Sequence, residues 1–120
     1  MIINIETELI KYLNQELKDI KTYADIPSKR PSEFITVEKT AGGDIERVID
    51  DCMVAIQCWS TSRYKASELA IQVDEILSHC AFYIPHVMKA KRNTMYNFPD
   101  LDTEQPRYQI VYEFKTFKEN

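Results

Sequence analysis

Apolar residues along the chain keep two different periods. Ile5, Leu9, Leu13, Leu17 and Ile20 recur at three- and four-residue steps, which predicts one stripe of a helix running roughly from Glu6 to Leu17. A wider stripe at the same spacing, Ala66, Leu69, Ala70, Val73, Ile76, Leu77 and Cys80, predicts a second helix that Ser60, Thr61 or Ser62 can cap and that Pro85 ends.

Between and after these stripes the period falls to two. Phe34–Lys39 is rich in aromatic and β-branched residues, and Val48–Trp59 reads as a long strand. In that second strand Cys52, Val54, Ile56 and Cys58 face one way and Met53, Ala55, Gln57 and Trp59 the other. Both sets are fairly apolar, so a central position covered on both sides is expected. Val87–Tyr96 looks strand-like, and Tyr108, Ile110, Tyr112 and Phe114 alternate with Gln109, Val111, Glu113 and Lys115 in a last strand. The order predicts an α+β fold: a mainly antiparallel sheet of about four to five strands with two helices packed on it.

Two connections stand out. Thr40–Arg47 contains Gly42 and Gly43, the chain's only glycines, followed by Asp44, Glu46 and Arg47. It reads as a loop longer than a plain hairpin needs, with backbone freedom and directional charges at one place. The residues Thr40, Ala41, Gly42, Gly43, Asp44, Glu46 and Arg47 are therefore candidates for contact with a partner. Asp100, Asp102 and Glu104 alternate in the loop that follows Asn97-Phe98-Pro99. Their spacing resembles the start of a calcium loop, but Gln105 stands where the glycine is required and no glutamate closes it. An acidic loop with Asp100 and Asp102 in contact with a partner is the better expectation.

Length fits one domain over residues 1–120. The net charge of -4 removes the broad positive field of a nonspecific nucleic-acid binder. The basic cluster Lys89, Lys91 and Arg92 reads as a solvated face or as edge protection on its strand; a small nucleic-acid-binding module built on it is one competing class. No apolar run approaches the ~18 residues of a membrane span. MIINIETELIKY carries acids where a signal peptide carries a basic region, so no membrane partner is expected and the chain is expected to stay in the cytoplasm after synthesis.

Catalytic patterns do not emerge. Cys52 and Cys58 share a strand face about 20 Å apart, too far for a disulfide or a shared zinc, and with Cys80 they read as buried small hydrophobes. Asp50 and Asp51 point to opposite faces and read as a solvated strand start. His79 and His86 flank a helix end. A thiol or hydrolytic enzyme would rest on Cys80 with His79 or His86 and would need a depressed cysteine pKa; the expectation is no enzyme, no metal and no cofactor.

Several stretches, in order, carry a resemblance: Tyr23-Ala24-Asp25-Ile26-Pro27 with Arg30-Pro31, Phe34-Ile35-Thr36-Val37-Glu38, Gly42-Gly43, Arg47-Val48-Ile49-Asp50, Val54-Ala55-Ile56-Gln57-Cys58-Trp59, Tyr96-Asn97-Phe98-Pro99-Asp100 and Pro106-Arg107-Tyr108-Gln109-Ile110. Together they span nearly the whole chain, which resembles the tail terminator, or tail completion, family of siphophages and prophages. The resemblance implies a virion protein at the head-proximal end of the tail. Such a subunit forms a homohexameric ring on the tail tube protein, ends its polymerisation and meets the head-tail connector protein, while DNA passes through without specific binding. A head-tail joining protein of the same virion is the neighbouring alternative. Under this reading the Thr40–Arg47 segment reaches a neighbouring subunit or the tail tube.

Overall fold

A computed structural model describes residues 1–119. Helix α1, Ile5–Glu16, starts where the Asn4 side chain accepts the Thr7 N–H at 3.2 Å, and Glu6 and Glu8 place negative charge at its positive end. Helix α2, Arg63–Ser78, is capped by Ser62, whose hydroxyl accepts the Lys65 N–H at 3.1 Å. A short 3-10 turn, Cys80–Phe82, follows it.

The strands are β1 (Thr22–Tyr23), β2 (Phe34–Glu46), β3 (Ile49–Trp59), β4 (Val87–Asn97) and β5 (Arg107–Phe117), in sheet order β1-β2-β3-β5-β4. All pairs are antiparallel except β1 with β2. The fold is thus α+β with two helices on a mostly antiparallel sheet. The two-residue β1 is the strand that periodicity misses, since it is too short to show a period. Asn14 pins it from α1, donating to the Thr22 carbonyl at 3.2 Å and accepting the Thr22 N–H at 2.9 Å.

Both helices cover one face. There Leu9 and Leu13 of α1 and Leu69, Val73 and Leu77 of α2 pack on Ile35, Val37, Val54, Ile56, Cys58, Ile110, Tyr112 and Phe114. Tyr112 ties the layers together, because its hydroxyl donates to the Asp74 carboxylate at 2.5 Å while Arg92 of β4 holds the other oxygen at 2.9 Å. Burial, with the Asp74 hydrogen bond second, raises the Tyr112 phenol above its ordinary pKa, so it remains a donor. Arg92 thereby points to the helix side of the sheet, away from Lys89 and Lys91.

The opposite face carries no helix but is ordered. Thr36 donates to Gln57 at 2.7 Å, Gln57 to Gln109 at 2.9 Å, and Gln109 to the Tyr96 hydroxyl, a side-chain ladder across β2, β3, β5 and β4. At one end of it Trp59 is fully buried, stacked on Phe34 at 5.1 Å between ring centres, with its indole N–H donating to Thr36 at 3.1 Å.

Tyr112→Phe removes the hydroxyl but leaves Asp74 held by Arg92. A loss of about 1 kcal/mol in unfolding free energy is expected, read from urea denaturation at an unchanged slope. A variant as stable as the parent would show that this tie carries no stability.

Candidate assembly interface

Thr40–Arg47, expected as a loop, is mostly strand. β2 continues to Glu46, and only Arg47 and Val48 form the turn into β3. The partner strand decides this: Ala41 pairs with Met53, Gly42 with Cys52, Gly43 with Asp51 and Asp44 with Asp50, and these backbone hydrogen bonds outweigh the weak strand preference of a Gly-Gly-Asp run. Register shifts at Thr40 and Ile45 let the long ribbon twist without breaking its pairing.

Neither glycine takes a positive φ, so backbone freedom is not what they supply. Gly42 supplies space. A Cβ there would lie 2.7 Å from Lys39 Cε and 2.9 Å from Nζ, because the Lys39 side chain crosses over it to reach Asp50 at 3.4 Å. Asp50 is only 2% exposed, which corrects the expectation of a solvated strand start: it lies on the helix face of the sheet as half of a partly buried ion pair. A Cβ on Gly43 would meet nothing within 4 Å.

The turn forms one pole of the molecule. Ile45, Val48 and Phe117 are each about half exposed there, beside Glu46 and Arg47, and Lys118 pairs with Asp44 at 2.7 Å. An apolar centre with a charged rim is the usual anatomy of a protein contact surface. The charges of this turn are legible in the sequence, and a lone apolar residue between Asp44 and Glu46 is a usable signal for Ile45; Val48, expected as the start of the following strand, lies in the turn.

Asp100 and Asp102 lie at the other end of the strands, in the loop between β4 and β5, so the candidate residues do not form one site. The two sets are separated along a molecule 43 Å long. Asp100 is committed within its own loop: its carboxylate accepts from the Thr103 hydroxyl at 2.6 Å, the Asp102 N–H at 3.3 Å and Arg30 at 3.5 Å. The Thr103 hydrogen bond, chief among these, holds its carboxyl below the usual range. Asp102 is exposed, and the neighbouring Leu101 is 89% exposed. Beneath this loop the Arg107 and Arg30 guanidinium groups lie 4.7 and 5.2 Å from the centre of the Trp59 ring, and Arg107 also covers Phe98 at 4.5 Å. The second pole is therefore a packed cluster of arginines and aromatic rings beneath an exposed acidic and apolar tip.

The remaining candidates separate as well. Lys89 and Lys91 gather with Lys115 around Glu113 on the helix-free face, without Arg92. Cys52, Cys58 and Cys80 are buried as expected, and burial pushes each thiol up, Cys52 and Cys80 to about 11, the reverse of what a nucleophilic cysteine needs. His79 caps α2, and His86 lies 3.7 Å from Glu119. Among the described residues no group of His, Cys, Asp and Glu is arranged to hold a metal ion. No protein-family model and no curated protein matches this chain.

The two glycines should answer differently to alanine. Gly42→Ala displaces Lys39 from buried Asp50 and is expected to cost about 1 kcal/mol. Gly43→Ala is expected to be neutral or to gain up to about 1 kcal/mol. Denaturation midpoints compare them; equal effects would contradict the role given to Gly42.

Proposed function

We propose that this protein is a structural subunit of a phage virion, a tail terminator that closes as a ring on the tail tube, ends its growth and presents its other face to the head connector. The observation that carries the reading is an α+β fold with two differently built poles at opposite ends of its strands. One is the apolar and charged β2–β3 turn, and the other is the acidic loop over Trp59. An adaptor between two unlike partners needs two such faces, directed oppositely along the assembly axis.

The family resemblance supports the same reading. Its quoted stretches, distant in sequence, meet in space: Arg30, Phe34, Trp59, Phe98, Asp100 and Arg107 all contribute to the second pole. Under this reading the protein performs no catalysis and binds no cofactor, and DNA passes the ring without specific recognition. A head-tail joining protein of the same virion would share these features. A nucleic-acid-binding module is favoured by one observation, the convergence of Lys89, Lys91 and Lys115, and would show itself as a strongly salt-dependent DNA affinity.

Removing the gene from the producing phage or prophage tests the proposal. Electron micrographs of the lysate should show overlong tails and unjoined heads. Tails of normal length with unjoined heads would point to the joining protein instead, and normal, complete virions would overturn both.

A further inference from the structure

The sheet ends in two unlike open edges. On one side β4 has β5 as its single strand neighbour among the described residues. On the other, β1 pairs only with Ile35 and Thr36 of β2, and the Glu6 carboxylate accepts the Lys39 N–H at 2.6 Å. From Thr40 to Glu46, β2 has β3 alone. Each edge leaves alternate backbone N–H and C=O groups free to bond a further strand.

Charge distinguishes the edges. β4 carries Lys89, Lys91 and Arg92, whereas β2 carries Glu38, Asp44 and Glu46 with a single lysine, Lys39. Arg92 is held by Asp74, Asp44 by Lys118 and Lys39 by Asp50. That leaves Lys89 and Lys91, with Lys115 and Glu113 of β5 beside them, on one edge and Glu38 and Glu46 on the other. By their pairing registers all four edge residues stand on the helix-free face. Two β4 edges side by side would set lysine against lysine, and two β2 edges acid against acid; only β4 against β2 matches cations to carboxylates.

Strand direction agrees. Each step from β2 through β3 and β5 to β4 is antiparallel, so β2 and β4 run oppositely. A second copy set beside the first in the same orientation therefore offers its β4 antiparallel to the first copy's β2. Such a contact joins unlike patches, and it closes into a ring when the rotation per subunit permits. Gly42 and Gly43 sit in the open run, where missing side chains let a neighbouring backbone approach.

We infer that copies of this chain join through β4 of one pairing with Thr40–Glu46 of the next, so that their sheets form one continuous sheet around the ring. This rests on the ring reading above and adds the strands that make the contact. The test is complementation of a gene deletion with charge-reversed variants. Lys89→Glu with Lys91→Glu makes both edges acidic, and Glu38→Lys with Glu46→Lys makes both basic. Each variant alone should lower the yield of infectious particles about tenfold or more while unfolding thermally like the parent, and the two expressed together should restore it, because acidic and basic copies can alternate. Milder Lys89→Gln with Lys91→Gln should fall between parent and full reversal. Either reversed variant complementing alone, or the pair failing together while both are folded, overturns the edge contact. A deletion that leaves virions normal rejects the ring reading itself, so the two failures are distinct.

Discussion

The molecule is built around β3, whose residues are buried or half-buried along its whole length, although the helices cover only one of its faces and not both as its sequence suggests. Val54, Ile56 and Cys58 of β3 are buried under the helices, while Ala55 and Trp59 are buried on the opposite face. Burying apolar side chains of this size stabilises the fold by roughly 1.5–3 kcal/mol each, so β3 is held at the centre with β2 and β5 as its neighbours. The order of the remaining strands follows. β4 is connected to β5 through the Asn97–Pro106 loop and takes the outer place, and β2 takes the other with only the short β1 beyond it. The same constraint that forms the core thus leaves two edges open.

Both helices lie on one face, and the other is finished with polar and cationic groups in place of a second helical layer. The Thr36, Gln57, Gln109 and Tyr96 ladder joins four polar side chains of that face to one another, and the arginines over Trp59 cover its largest ring with planar cations. A face ordered in this way is held by its own hydrogen bonds, and the contacts proposed above fall on the poles and edges instead.

Much of the fold was legible because burial writes a period into the sequence. The stripes of α1 and α2, the Ser62 cap and the alternation of β5 each depend on neighbours along the same element. What was not legible depends on a partner distant in the chain. β2 reads as a strand to Lys39 and then as a loop, since Gly42, Gly43 and Asp44 have poor strand preference and only pairing with β3 extends it to Glu46. Asp50 reads as solvated because nothing nearby in sequence reveals that Lys39 crosses Gly42 to meet it. Arg92 reads as one cluster with Lys89 and Lys91, but the alternation of the strand puts it on the other face from both, where Asp74 of α2 holds it. The candidate residues Thr40–Arg47 and Asp100 with Asp102 were placed on two segments, and topology, not spacing, puts those segments at opposite poles.

A small protein with one central strand, two unlike edges and two unlike poles has a direction, and direction is what the proposed ring between a tube and a connector requires. Reconstruction of intact virions by electron cryo-microscopy measures this most directly. The chain is expected in a hexameric ring at the head-proximal end of the tail, with the β2–β3 turns of all copies on one side of the ring and the loops over Trp59 on the other. The chain found elsewhere in the particle, or copies alternating in direction around the ring, would contradict the proposal.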